Sequence, residues 1–226
     1  MEFLRYLVEE GIYHKHIGNI LEVWDDLDLS SSEPFKLPSI LSIFGDFNLS
    51  DSKISQLPNR LFVKGNLDIS NTRITKIPKN TLVGGSIFLR NCILEELPDF
   101  IEINGDLDVS GALIPDLGTG LHVYGSMNLY QSKLDSLPDD LAIDEGLYLS
   151  ESKIKKFPKN LYVAKNIILS DTTVINDVPP DLYVGGRLIQ SGDKLWEEPI
   201  CLPENAIGNM IHNSEISYTD QKRKTG

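Results

Sequence analysis

Cysteine is nearly missing from this chain. The two among 226 residues, Cys92 and Cys201, are too few for the disulfide framework of a small secreted domain and read as reduced thiols in a cytoplasmic protein. No apolar run approaches the roughly 20 residues of a membrane-spanning helix, so no membrane partner is expected. Met1 to Glu10 carries charge throughout, unlike a signal peptide; delivery into a host cell by a secretion system is compatible with both observations. An excess of basic charge is lacking too. With Lys+Arg 21 against Asp+Glu 33 and a net charge of −12, the chain offers no footprint for phosphates, so direct nucleic-acid binding is not expected and a basic protein is the favoured partner. The histidines number 4 and make no recognised site: His14 and His16 lack companion ligands at metal-binding spacing, and His122 lies outward between Leu121 and Val123. No Ser-His-Asp or Cys-His arrangement can be argued either. The expectation is a protein that is not an enzyme and takes no cofactor and no metal.

What the chain has instead is a twenty-residue phrase, clearest at Leu61–Pro78, that returns with Gly45, Gly65, Gly85, Gly105 and Gly125 and with Pro38, Pro58, Pro78, Pro98, Pro138 and Pro158. Self-similarity at this period is the signature of a solenoid whose coils touch only their neighbours. It also accounts for the glycines without a phosphate-binding loop. One apolar column runs Leu27, Phe47, Leu67, Ile87, Leu107, Met127, Leu147, Ile167, Leu188, and a second lies two residues on, from Leu29 to Leu169. That alternation is strand spacing with both columns inward. A third column holds Ile54, Ile74, Leu94 or Ile93, Leu134 and Ile154; a fourth, from Leu37 to Phe157, precedes the prolines; and pairs such as Leu61 with Val63 come before the glycines. Proline suits a corner that needs no ladder N–H, and glycine suits a turn with positive φ or close backbone approach. The small residues Ser52, Thr72, Cys92, Ala112, Ser132, Ser152 and Thr173 are expected to point inward and bond turn carbonyls. One residue too many near Thr172 and Thr173 is expected to bulge there.

The string L-x-L-x-x-[ST/C]-x-I-x-x-[LI]-P resembles the leucine-rich-repeat family, with Ser, Thr or Cys where that family usually has Asn. The short period and LPxxL element resemble the subclass of secreted bacterial effectors and some phage-encoded proteins. The resemblance spans roughly Leu21 to Leu188 and implies a right-handed solenoid dominated by a parallel β-sheet, used as a scaffold for protein partners. The family's leading leucine is missing at Lys64 and Gly84, so a parallel β-helix stays as the structural alternative.

Four segments are expected. Residues 1–16 form a helical cap with the stripe Phe3, Leu4, Leu7, Val8, ended by Gly11. Residues 17–192 form the solenoid of eight to nine coils, about 40 Å long at ~4.8 Å per strand. Residues 193–216 cap the other end through Trp196, Ile200, Leu202, Ile207, Met210 and Ile211, and 217–226 form a disordered polar tail. A monomer is expected.

Alternation also names the outward face. One outward column reads Asp26, Asp46, Asn66, Ser86, Asp106, Ser126, Gly146, Asn166; the next Asp28, Asn48, Asp68, Phe88, Asp108, Asn128, Tyr148, Ile168; the third Ser30, Ser50, Ser70, Arg90, Ser110, Tyr130, Ser150, Ser170. The candidate partner-binding residues are Asp26, Asp28, Asp46, Asn48, Asp68, Asp106 and Asp108 as an acidic half, with Phe88, Arg90, Tyr130 and Tyr148 as an aromatic band. In-register coils set like charges one strand apart, where they repel. Asn in place of Asp is expected to be cheaper for folding, which points to a cationic partner. The competing explanation is a solvated face kept soluble by its charge. A protein-interaction module is the first function these residues suggest. An acidic mimic of nucleic acid that blocks a DNA-binding enzyme is the second, a self-stacking assembly protein the third, and calcium on the Asp ladder the weakest.

Overall fold

A computed structural model describes residues 2–34, 36–170, 172–191 and 200–201. These residues form a parallel-strand β-solenoid of about eight turns with one short helix. Each turn contributes two strands. One set builds a ten-stranded sheet from Leu27–Asp28 to Leu188–Ser191, with Ile200–Cys201 antiparallel on its far edge. The other set builds a second sheet in two five-stranded parts, the first ending at Asn80–Val83 and the second starting at Glu102–Ile103. Pairing advances twenty residues per turn: Phe47 faces Leu67, Leu67 faces Ile87, Leu107 faces Met127. The step becomes twenty-one at Ile167 and Leu188. The extra residue therefore falls where expected, after Ser170, with Thr173 buried in the small-residue column and Thr172 exposed.

The apolar columns form one continuous core, with Phe47, Leu67, Leu107 and Met127 all 0 % exposed. In the third column the choice falls on Leu94, which is buried, while Ile93 points to solvent.

At the N-terminus α1 (Glu2–Glu9) packs Phe3 and Leu7 into the core. Leu4 and Val8, expected on the same stripe, are exposed, because the half-buried Tyr6 takes the covering position and donates its hydroxyl to the terminal-strand carbonyl of Asp28 at 3.0 Å. Gly11, with φ of 69°, ends the helix: its N–H reaches the Val8 carbonyl at 3.2 Å, and that of Ile12 reaches the Leu7 carbonyl at 2.8 Å. The strand His14–Ile17 then folds antiparallel onto Ile20–Val23 and covers the open edge of the second sheet. The N-terminal lid is thus a helix and a hairpin strand, covering one sheet each. The C-terminal cap expected over 193–216 and the tail over 217–226 lie outside the described residues, apart from Ile200–Cys201.

Three outcomes at the corners refine the sequence reading. Of the two roles open to the repeating glycines, they take close backbone approach and not positive φ. That conformation belongs to a polar column just after the ten-stranded sheet: Ser31, Asp51, Asn71, Asn91, Gly111, Gln131 and Glu151. Asn and Asp accept it more readily than other side chains. Secondly, the small inward column bonds carbonyls only in part. The Thr72 hydroxyl donates to Ile69 O at 2.7 Å and that of Thr173 to Leu149 O at 3.1 Å, whereas Ser52, Ser132 and Ser152 have no partner for their hydroxyls among the described residues. Small size is the property that all members of this column share. Thirdly, Ser70, Gly146 and Ser170 are buried although alternation turns them outward: the Tyr148 ring covers Gly146, and each serine hydroxyl accepts a backbone N–H from an adjacent coil, Arg90 at 3.3 Å and Glu151 at 3.2 Å.

The second sheet changes character at mid-length. Its first coils hold four-residue strands, Ile40–Ile43, Arg60–Val63 and Asn80–Val83; later ones hold two, such as His122–Val123 and Ala142–Ile143. The corner entering the later strands turns through positive φ at Phe100, Gly120, Asp140 and Asn160, which consumes the residues that extend the earlier strands. Phe100 is a costly residue there, and its ring lies against Gly120, where a Cβ would sit 2.6 Å from Cδ1. In the same corner Asp99 accepts the Thr119 N–H at 2.9 Å and hydroxyl at 3.1 Å, which hold its carboxyl below the usual carboxylate range.

Cys92 fills its inward position completely, its Sγ 3.1 Å from Ile69 O. Burial pushes the thiol up from an ordinary 9.0 to about 11. The protonated form is the one the fold accepts, so this contribution to stability is complete below pH 9 and is lost as pH rises through about 11. Alkylation of Cys92 at pH 8, followed by mass spectrometry, is expected to be slow in the native protein and fast after denaturation. Fast native labelling contradicts the buried register of this coil.

Candidate binding face

In the first two outward columns of the ten-stranded sheet, the Asp, Asn and Ser side chains accept backbone N–H groups. Asp26 Oδ1 accepts the N–H of Asp46 at 2.7 Å, and Asp46 Oδ1 accepts that of Asn66 at 2.7 Å. The relay continues from Asn66 to Ser86 N at 2.8 Å, from Ser86 Oγ to Asp106 N at 2.9 Å, and from Asp106 to Ser126 N at 2.7 Å. Each side chain therefore satisfies a donor exactly one coil away, where the chain rounds the corner between the two sheets and the regular ladder is interrupted.

This relay explains the glycine column. A Cβ at Gly45, Gly65, Gly85, Gly105 or Gly125 would lie closer than 3.0 Å to the side-chain oxygen of Asp26, Asp46, Asn66, Ser86 or Asp106 respectively. The sequence shows the converse at one coil. Gly146 stands in the relay column with no side chain to reach forward, and the position opposite it is Lys165; Glu145 likewise replaces glycine opposite Ser126, whose Oγ accepts the Gly146 N–H at a longer 3.4 Å. Lys165 and Glu145, the two residues that break the glycine column here, pair at 2.6 Å.

The second outward column is bound locally. Asp28, Asn48, Asp68, Asp108 and Asn128 each accept, through Oδ1, the N–H two residues ahead, at 2.8 to 3.0 Å. These are Asx turns. Asn66 and Ser86 serve the relay, and Asn48 and Asn128 the turns, with the same geometry as the acids. The expectation that a cationic partner explains the acidic residue types is therefore corrected in part: their shape and acceptor atoms belong to the fold, and only the negative charge is left over.

The aromatic band divides. Phe88, Arg90 and Asp108 form one cluster, with Arg90 Cζ 5.0 Å from the Phe88 ring centroid and Arg90 Nε 3.0 Å from Asp108 Oδ2. Tyr130 and Tyr148 lie on adjacent coils and are 42 % and 40 % exposed. The Tyr130 hydroxyl donates to Glu151 Oε1 at 3.3 Å, and the Tyr148 ring lies over Gly146, whose missing Cβ would stand 3.2 Å from Cε2. Asp108 and Asn128 separate Phe88 from Tyr148 along the sheet. Asp26, Asp28, Asp46, Asn48 and Asp68 sit on the three coils before Phe88, and Asp106 beside Asp108.

Sequence reasoning overlooked the aromatics of the other sheet. Trp24 stacks on Phe44 with ring centroids 4.6 Å apart, and Phe44 meets Phe62 edge-on at 5.8 Å. Further along, Tyr162 stacks on Tyr183 at 4.9 Å, and His122 stacks on Tyr124 at 4.0 Å with its Nε2 3.1 Å from Asp144 Oδ1. The signal was present: if Leu61 and Val63 point inward, Phe62 between them points out. Among the described residues no group of three His, Cys, Asp or Glu side chains is placed to hold a metal ion, and no helix is long and apolar enough to cross a membrane. No family model, no curated protein and no solved structure matches the chain.

Proposed function

We propose that this chain is a non-enzymatic leucine-rich-repeat-type scaffold that binds a basic protein partner through its ten-stranded face. The observation that carries the reading is the surplus of charge and aromatic surface over what the fold requires there. Asn and Ser serve the relay as well as Asp does, so the charges of Asp26, Asp46 and Asp106 remain for a cation. Tyr130 and Tyr148 fill no core, and aromatic side chains with arginine are frequent anchors of interfaces. The repeat string favours the leucine-rich-repeat form of the solenoid; the second parallel sheet in each coil is the feature that favours a parallel β-helix.

A nucleic-acid mimic is the second functional reading, favoured by carboxylates at regular spacing along the first coils. The acids of these columns end at Asp108, short of a track along the whole rod, which ranks mimicry second. Capture of a specific partner from the native host, compared with a variant carrying Phe88→Ala, Tyr130→Ala and Tyr148→Ala, tests the first reading. The expected loss is about tenfold or more. Undiminished capture by the folded variant refutes the proposed face.

A further inference from the structure

The corner where the second sheet meets the ten-stranded sheet carries apolar surface that the repeat does not ask for. Trp24 and Phe44 occupy one column of that corner, and Phe62 and Leu82 the outward column of the second sheet beside it. Tyr13 joins them, since its carbonyl accepts the Trp24 N–H at 3.2 Å. Tyr13 is 63 % exposed, Trp24 49 %, Phe62 36 % and Leu82 66 %. Elsewhere the same columns hold Asn104 and Asp144, or Ser42, Glu102 and Ala142, so coil geometry leaves these positions open to polar residues. Ring stacking accounts for part of the patch, at roughly 0.5–1.5 kcal/mol per aromatic pair. It does not account for Leu82 or Tyr13, which join neither ring contact. A contiguous patch of this kind on a folded surface marks an interaction site.

Its charge identifies the occupant. Asp25 and Asp26 follow Trp24 directly, Glu22 shares the outward column of Phe62, and Asp46 stands two residues after Phe44. Asp26 and Asp46 each give only Oδ1 to the backbone relay. Lys15, directly opposite Glu22 on the covering strand, and Arg60 and Lys64 are the bases nearby; the four carboxylates Glu22, Asp25, Asp26 and Asp46 outnumber these three, so the rim is acidic by one charge. A second copy of this chain, at a net charge of −12, would bring like charge against like, and an anionic lipid surface would be repelled in the same way. A cationic segment is attracted, and an arginine or lysine also gains from the faces of Trp24 and Tyr13.

We propose that the aromatic corner of Tyr13, Trp24, Phe44, Phe62 and Leu82 is a second docking surface, whose occupant is an apolar segment of a partner protein that carries arginine or lysine. This rests on the reading of the chain as a protein-binding scaffold but uses a different face.

The test uses the full chain and a fluorescent amphipathic peptide of arginine, leucine and alanine, followed by anisotropy at physiological salt. The same peptide with glutamate for arginine serves as comparison. The arginine peptide is expected to bind and the glutamate peptide not to. Trp24→Ser with Phe62→Ser is expected to weaken binding about tenfold or more, and Asp25→Asn to weaken it less while flattening its salt dependence. Ile93→Ser, an exposed apolar residue on another edge, should leave it within about twofold. If the ring variants do not fold, Tyr13→Ser with Leu82→Ser, which spares the stack and leaves the charge unchanged, should give the same loss. Full-strength binding by a folded corner variant overturns the proposal. So does concentration-dependent dimerisation abolished by the corner variant, which makes a second copy the occupant. So does tighter peptide binding after deletion of residues 217–226, which makes the chain's own basic run the occupant. The Phe88, Tyr130 and Tyr148 variant is judged separately by partner capture, so failure of one face is distinguishable from failure of the other.

Discussion

Gly65→Ala is expected to destabilise the protein by about 3 kcal/mol, a large effect for one methyl group. The added Cβ would overlap Asp46 Oδ1 and crowd the Gly45 carbonyl, 2.9 Å away. Either the Asp46 carboxylate leaves the Asn66 N–H that it accepts at 2.7 Å, or the coil shifts and disturbs the Gly65 N–H to Gly45 carbonyl bond at 3.0 Å. The carboxylate and the glycine are one joint, so their substitutions should not add. Asp46→Ala alone should cost about 1 kcal/mol for the lost acceptor. Combined with Gly65→Ala it should recover about 1 kcal/mol relative to the sum, because the main obstacle has been removed. The chain makes a version of this exchange itself at Gly146 and Lys165. Urea unfolding of the wild type, the two single variants and the double variant measures the cycle. A Gly65→Ala protein within about 0.5 kcal/mol of wild type means that the glycine column has another cause.

The second large effect separates two neighbours in sequence. Leu94→Ala is expected to cost about 2–4 kcal/mol, and Ile93→Ala less than about 0.5. Leu94 is 2 % exposed within the continuous core, while Ile93 is 62 % exposed and forms a backbone bridge with Leu113 on the coil edge. Each coil rests on its neighbours, so a hole beneath Leu94 weakens the interfaces on both sides of its coil. The unfolding midpoint of each variant reads the difference. Equal losses at the two positions contradict the placement of this coil.

The inside of the solenoid was legible because the period is fixed and stacked turns bury the same positions. Leu67, Leu107 and Leu147 announce a core column without any knowledge of the corners. At residues 93 and 94 the code was ambiguous, since two apolar residues are adjacent and the turn between columns has no strict alternation. The corners were legible only in part. Glycine at a fixed position is compatible with positive φ or with close approach, and the choice depends on a side chain twenty residues away. Nothing local to Gly65 points to Asp46. The positive-φ column was hidden for a related reason: Ser31, Asp51, Gln131 and Glu151 look like ordinary polar turn residues, and the demand on their backbone comes from the tight exit of the strand. At the candidate face the outward columns were located correctly except for Ser70, Gly146 and Ser170. The hydrogen-bonding work of Asp26, Asp46 and Asp106 is a contact between turns, invisible in any one of them.

The central claim is that twenty residues advance the chain by one strand spacing in constant register. Spin labels at one recurring edge position test it most directly. With Cys201→Ser to avoid a second site, Lys53→Cys is paired either with Lys133→Cys or with Lys153→Cys, four or five coils away, and pulsed dipolar spectroscopy measures each separation. The account predicts backbone separations of about 19 Å and about 24 Å, a difference of one strand spacing. Two pairs with indistinguishable separations, or the Lys133 pair farther apart than the Lys153 pair, would contradict it.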